Sequence, residues 1–200
     1  MFTLLRGLWK YFFRKDEYYV LILGLDNAGK TTFLEQTKSL FINNYDGMPL
    51  NKITSTVGLN VARIEQGSTR LIFWDLGGQE DLQSLWDKYY AECQGVIYVV
   101  DSSDPENLAM SSQTFRKVIL HPDLEGAPLL ILANKQDRQD ALPLTEVESA
   151  FNTGVESIGD RDCKIQRVSA LKGEGVTEGI EWLTQRVQQS RRAQMKSNSQ

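Results

Sequence analysis

The chain is expected to form an α/β fold, a six-stranded and mainly parallel sheet with helices on both faces and one antiparallel hairpin at its edge. Three features predict this. Apolar runs at 18–24 (YYVLILG), 95–100 (GVIYVV) and 128–133 (PLLILA) have the length and unbroken hydrophobicity of strands buried on both faces. Helical stretches fall between them, and strand–helix alternation implies parallel pairing through crossovers. Residues 59–64 and 70–74 alternate apolar and polar across Gln66-Gly67-Ser68, which is a hairpin pattern.

Taken in order, residues 1–15 form a segment of their own. At the α-helical angle of about 100° per residue, Phe2, Leu4, Leu5, Leu8, Trp9, Tyr11, Phe12 and Phe13 share one broad arc. Thr3, Arg6, Gly7, Lys10 and Arg14 fill the other side, and Lys15 falls on the apolar arc. By pattern this is an interfacial membrane helix, and the plainer alternative is a helix packed on its own domain. The main domain is expected over 16–189. Within it the first strand at 18–24 leads into a helix at 30–41, and the polar stretch 43–56, with Gly47 and Pro49, is a loop. After the hairpin come the strand at 95–100, a helix at 105–119, the strand at 128–133 and a helix at 146–151. A last strand at 163–168 and an amphipathic helix at 175–189 close the domain. Residues 190–200 are polar, rich in Ser, Gln, Arg and Lys, and are expected to be disordered.

Composition narrows the class. With 41% hydrophobic and 24% charged residues in 200, the chain matches an ordinary soluble domain that needs no disulfide or structural metal. A net charge of −4 argues against nucleic acid as the main partner. Cys93 and Cys163 lie far apart with no second ligand nearby, which excludes a zinc cluster and suggests a reducing compartment. Each reads first as a small buried hydrophobe. His121, the only histidine, precedes Pro122 and is assigned no catalytic role. No secretory signal or run of about 20 apolar residues is present, so a cytosolic protein or one on a cytosolic membrane face is expected.

The chemistry lies in the loops that follow strands, where ligands sit on such sheets. Gly24-Leu25-Asp26-Asn27-Ala28-Gly29-Lys30-Thr31 is a G-x-x-x-x-G-K-[ST] phosphate loop between a strand and a helix. Its glycines let successive backbone N–H groups, through Thr32, face phosphate oxygens, and the helix N-terminus adds partial positive charge. Lys30 brings a full charge to the β- and γ-phosphates, and the Thr31 hydroxyl is a Mg²⁺ ligand. Trp74-Asp75-Leu76-Gly77-Gly78-Gln79 follows the hairpin. Asp75 there can hold Mg²⁺ through water, and the glycine pair lets a backbone N–H swing onto a γ-phosphate. Asn134-Lys135-Gln136-Asp137 selects the base. The Asp137 carboxylate suits guanine N1–H and the exocyclic amine, and adenine would leave it unpaired, a discrimination that reaches roughly 10⁴-fold. Asn134 can bond the base and the phosphate loop, and the Lys135 stem can cover the ring. In Ser169-Ala170-Leu171 the Ala170 N–H can meet guanine O6. In Thr54-Ser55-Thr56 any of the three hydroxyls could complete the Mg²⁺ shell.

The order GLDNAGKT, TVG, WDLGGQ, NKQD, SAL resembles the Ras-like small GTPases, and specifically their ADP-ribosylation-factor (ARF) branch. The Asp-Asn pair in the phosphate loop, the Trp before Asp75 and the Gly-Gly-Gln triplet carry that likeness over roughly residues 1–185. The resemblance implies the P-loop small GTPase fold, a monomer, bound GTP or GDP with Mg²⁺, and a conformation that reports which nucleotide is held. It assigns Thr56 to the metal, Gly78 to the γ-phosphate and Gln79 to orienting the attacking water. It implies slow unaided hydrolysis, an exchange factor and an activating protein, which is expected to supply an arginine. It also implies that GTP slides the hairpin along the sheet and expels the N-terminal helix onto a membrane. Leu59, Trp74 and Tyr89 correspond to the apolar effector surface, with Leu59 in place of the usual aromatic. Phe2 stands where myristoylated members have glycine, and no Cys stands near the C-terminus, so neither myristoylation nor prenylation is expected. The Met-Phe start is similar to the ARF-related sub-branch, which implies an acetylated amino terminus, a trans-Golgi location, Golgi effectors, a possible membrane receptor and a role in vesicle traffic.

Three other classes fit the sequence less well. A nucleotide-locked scaffold that never hydrolyses is disfavoured by Gln79, and a kinase or ATPase by NKQD. With 24 residues between Thr31 and Thr56, there is no room for the inserted helical domain of a heterotrimeric-type α subunit.

Overall fold

The computed structural model describes residues 15–152, 159 and 161–190. The expected helix over 1–15 (apart from Lys15) and the tail from 191 lie outside these residues. The sheet has six strands: β1 (Asp16–Leu23), β2 (Leu59–Gln66), β3 (Thr69–Leu76), β4 (Gly95–Asp101), β5 (Leu129–Asn134) and β6 (Cys163–Arg167). Their order is β2-β3-β1-β4-β5-β6. Every pairing is parallel except β2 with β3.

The helices are α1 (Lys30–Phe41), the four-residue α2 (Glu80–Gln83) and α3 (Asp87–Tyr90), α4 (Pro105–Ile119), α5 (Leu144–Asn152) and α6 (Val176–Gln189). α4 starts where expected because Pro105 fits the first turn and the Asp104 carboxylate accepts the Asn107 N–H at 3.2 Å. α2 and α3 are too short to leave a periodic signal in the sequence. β1 begins two residues before the apolar run because Asp16 and Glu17 pair with Thr69 and Arg70 of β3.

Alternation along β1 builds two cores. Val20 and Ile22 join Phe33, Leu34, Phe73, Ile180 and Leu183 on the face covered by α1 and α6. Leu21 and Leu23 join Trp86, Tyr98, Phe115 and Phe151 on the face covered by α4 and α5. With both faces filled, the strands' carboxyl ends open onto one edge of the sheet, and the functional loops leave from there. Among the described residues no helix is long and apolar enough to cross a membrane.

Cys93 and His121 have the settings expected of them, whereas Cys163 is only partly buried. Cys93 is buried, and burial pushes the partly buried Cys163 thiol up to about 11, so neither is a ready nucleophile. His121 caps a 3₁₀ turn, its Nδ1 accepting the Asp123 N–H, and lies edge-on to Tyr90.

At the hairpin tip, Arg70 pairs with Glu17 and Glu65, and Lys15 with Glu65, all at least one-third exposed. Solvent screens such pairs, so the fold depends on the apolar faces and little on this network. Phe73→Ala is therefore expected to cost about 3–5 kcal/mol in urea unfolding. Arg70→Ala should leave the urea midpoint nearly where it was.

Candidate nucleotide site

The loop from Gly24 to Gly29 is bent by its packing. Gly24 has φ +142°, and a Cβ there would lie 2.3 Å from the Val99 carbonyl oxygen, so only glycine lets the chain turn off β1 at this point. α1 then starts at Lys30 with Gly29 as its N-cap and no side-chain cap, leaving the first-turn N–H groups to an outside acceptor. Lys30 is 6% exposed, and its ammonium donates to the Leu25 carbonyl at 2.8 Å, folded over the loop.

Thr31, Thr56 and Asp75 come together from three elements. The Thr31 hydroxyl donates to Asp75 Oδ2 at 2.7 Å and lies 2.6 Å from Thr56 Oγ1, which is 3.5 Å from the same carboxylate oxygen. Of the three hydroxyl residues left open by the sequence, Thr56 reaches this cluster. Ser55 instead donates to the Asp26 carboxylate at 3.2 Å, and Thr54 is exposed. Asp75 is fully buried, and its Oδ1 has no hydrogen bond of ordinary geometry. Two hydroxyls and a buried carboxylate with a spare oxygen suit a hard divalent cation such as Mg²⁺, whose remaining positions go to water and phosphate. Thr31 and Thr56 would be direct ligands, with Asp75 beside them. Among the described residues no cluster of three or more His, Cys, Asp or Glu offers a competing metal site.

Gly78 is packed against the phosphate loop: a Cβ there would lie 2.4 Å from Lys30 Nζ and 2.5 Å from the Gly24 carbonyl oxygen. The glycine pair is held from behind by residues the sequence did not single out. The buried Trp86 indole donates to the Gly77 carbonyl at 3.0 Å, and the Gln83 amide to the Gly78 carbonyl at 3.1 Å. A large aromatic with a polar N–H, seven residues after Gln79, was the available signal, because a buried indole needs an acceptor. Gln79 itself is exposed at the N-cap of α2, and no hydrogen bond among the described residues ties its side chain to the phosphate loop.

At the other end, Asn134 is 2% exposed and joins two loops. Its amide donates to the Ala28 carbonyl at 2.8 Å, and its oxygen accepts the Ala170 N–H at 2.9 Å. The Ala170 N–H is thus engaged inside the protein, and a contact with guanine O6 would have to share it. Asp137 accepts the Ser169 hydroxyl at 2.6 Å on one oxygen. Lys135, at φ +62°, pairs with Asp101 at 2.5 Å, which sets the course of its stem. Asp101, at the carboxyl end of β4, is a second contributor that the sequence reading missed.

A family model for the ADP-ribosylation factor family matches residues 4–187. The chain belongs to the ADP-ribosylation factor family. It is 62% identical over 183 residues to the human ADP-ribosylation factor-related protein 1, covering 92% of this chain and 91% of that one. It is 46% identical over 194 residues to ADP-ribosylation factor-like protein 3 of Saccharomyces cerevisiae, covering 96% and 97% of the two chains. Among solved structures it is similar to the Arl6 BBS3 small GTPase from Trypanosoma brucei with bound nucleotide analogue GppNp. That match has a TM-score of 0.73 and 34% identity, and covers 86% of this chain and 98% of the other. ARF family members are small GTPases that bind GTP and GDP and hydrolyse GTP, and the P-loop GTPase fold expected from the sequence is the one observed.

In this ARF family domain, burial raises the Asp75 carboxyl above its ordinary range, against the pull of the Thr31 hydroxyl and the Lys30 charge. Burial lowers the Lys30 ammonium, opposed by Asp75 and Asp26. A raised carboxyl favours folding below its unfolded value of 3.8, and that contribution is lost as pH rises through the folded value. In the nucleotide-free chain, Asp75 should therefore lower stability as pH climbs from 3.8 through the raised value. Thermal melts across that range should show Asp75→Asn flattening this decline and melting higher than the parent near neutrality.

Proposed function

We propose that the chain is a GTP/GDP switch that uses Mg²⁺, hydrolyses GTP slowly with help from an activating protein, and is reset by an exchange factor. What chiefly supports this is the hydrogen-bonded path Ala28–Asn134–Ala170, which joins a phosphate loop to a base-selecting loop in one frame. In this reading the backbone from Gly24 to Thr32 cradles the phosphates, Lys30 turns from the Leu25 carbonyl onto them, and Asp137 accepts from the guanine edge. Bound Mg²⁺ would neutralise charge on the β- and γ-phosphate oxygens. Thr56 senses the occupied state through the metal, and Gly78 offers its N–H to the γ-phosphate. Gln79, exposed in this arrangement, orients water once a partner orders its segment.

The GTP state is proposed to act at Golgi membranes in vesicle traffic, with residues 1–15 reaching the bilayer surface, alone or with a receptor, and with effectors recruited there. The likeness to ADP-ribosylation factor-related proteins supports this. So does an apolar surface at the hairpin. Trp74 contacts Tyr89 with ring centroids 5.4 Å apart, and Leu59 is 39% exposed on the neighbouring edge strand. Flotation with Golgi-like liposomes should follow loading with a non-hydrolysable GTP analogue, and should be lost on deleting residues 1–15. Equal flotation with GDP would make that segment a constant anchor instead.

Competition binding tests the nucleotide reading. GTP and GDP should displace a labelled guanine nucleotide where ATP does not, and Asp137→Ala should weaken binding by roughly 10²–10⁴-fold. Single-turnover hydrolysis with an activating protein should fall at least about tenfold in Gln79→Leu, with nucleotide affinity retained. Equal rates in the two proteins would favour a scaffold that does not use Gln79.

A further inference from the structure

The 43–58 segment, which delivers Thr56, is tied down near its start by contacts outside the nucleotide site. Tyr45 is half-buried between exposed neighbours, and its phenol donates to Glu35 Oε2 at 2.8 Å. Glu35, in the second turn of α1, is only 4% exposed, and its other carboxylate oxygen pairs with Lys38. The Lys38 ammonium also lies 4.9 Å from the centroid of the Tyr45 ring. Each member is thus held twice: the carboxylate by a phenol and an ammonium, the ammonium by a carboxylate and a ring face, the ring by a hydrogen bond and a cation–π contact. The ring also lies close under the backbone that follows, since a Cβ on Gly47 would come within 2.8 Å of it.

A buried carboxylate on an exposed-loop contact is costly unless both oxygens are satisfied, so this cluster has one arrangement that works well and few that are nearly as good. Its position makes it consequential. α1 carries Thr31 in its first turn and Glu35 one turn later, about 6 Å along the axis. The same loop meets the helix at both places, through Tyr45 at Glu35 and through Thr56 at Thr31. Residues between those contacts make a closed span with a single 3₁₀ turn, Leu50–Lys52, and no strand pairing of its own.

We infer that the Glu35–Lys38–Tyr45 cluster is an anchor that positions Thr56 for the metal and thereby governs how long Mg²⁺ and nucleotide stay bound. Tyr45 is a positioning residue, acting through the loop and Thr56. The inference rests on the nucleotide reading above. Burial alone would lower the Lys38 ammonium, but Glu35 and Tyr45 outweigh it and the charge is held above its ordinary range. Lys38 therefore keeps its charge against the Glu35 carboxylate and the Tyr45 ring.

The test uses the full chain and Tyr45→Phe, which keeps the ring over Lys38 and removes only the donor to Glu35. Two readouts are needed. Hydrogen exchange of residues 46–58 should rise in the nucleotide-free variant, with α1 and the sheet unchanged; unchanged exchange in 46–58 would overturn the anchor whatever the nucleotide does. Release of a fluorescent GDP should be roughly three- to tenfold faster than in the parent chain with millimolar Mg²⁺, the scale of one ordinary net hydrogen bond. With excess chelator the two proteins should release at the same rate, because Thr56 then has no metal to hold. Equal acceleration with and without Mg²⁺ would mean general damage to the pocket, and would overturn the positioning role. A parent chain that takes up no guanine nucleotide would overturn the nucleotide reading and the role in retention with it, while the exchange result would still decide whether the loop is anchored.

Discussion

The charge of Asp75 is the constraint around which the site is organised. A carboxylate with no exposed surface at the end of β3 is tolerated only if other groups answer it. Groups from three parts of the chain do: Lys30 and Thr31 open α1, Thr56 stands near the end of the loop before β2, and Asn60 lies on β2 itself. Its raised pKa says that these answers are incomplete. A site left short of positive charge in this way suits a cation, as the proposed switch requires.

The hairpin carries this arrangement because both of its outer ends lead into it. β2 leaves the Thr56 loop and β3 runs into Asp75 and the glycine pair, and the Gly77 N–H donates to the Gly58 carbonyl at 3.1 Å. The loops before and after the hairpin are therefore one unit, and Trp86 fixes its far side by holding the Gly77 carbonyl. Movement of either loop has to be felt by the other through that backbone bond. At its closed end the hairpin is held by polar contacts with α6, Thr184 to Gln66 at 2.6 Å and Gln188 to Thr69 at 2.5 Å. The tip and the site ends are thus held by different neighbours.

Much of this was legible in the sequence, for identifiable reasons. Strands buried on both faces show as unbroken apolar runs, and a phosphate loop needs glycines at fixed spacing, so β1, β4, β5 and the Gly24–Thr31 turn could be placed directly. Asn134 was expected to touch the phosphate loop, and it does. Trp86, Asp101 and the Tyr45–Glu35 pair were not legible, because each works through a partner brought near by tertiary packing. Nothing in the local pattern of Glu35, on an otherwise ordinary helix, marks it as buried. The open choice among Thr54, Ser55 and Thr56 had the same origin: three adjacent hydroxyls are equivalent in sequence, and only the path of the loop distinguishes them. The 1–15 amphipathic pattern and the 191–200 tail fall outside the described residues.

The distribution of contacts separates a fixed end from an adjustable one. Asn134 uses both of its polar atoms to join β5, the phosphate loop and the Ala170 turn, through contacts at the buried residues Ala28 and Ala170. Base selection and phosphate cradle therefore sit in one frame whose rearrangement would expose unsatisfied polar groups. Thr56, Gly78 and Gln79 are attached differently, on loops that flank a hairpin at the edge of the sheet. Their contacts to the frame are the hydrogen bonds of Thr56 with Thr31 and Asp75 and the packing of Gly78 on the phosphate loop, and Gln79 has no hydrogen bond to that loop among the described residues. A ligand that differs only by a terminal phosphate can bias the second group without disturbing the first. That division lets a chain of this family hold two nucleotides by the same base contacts and still present two surfaces.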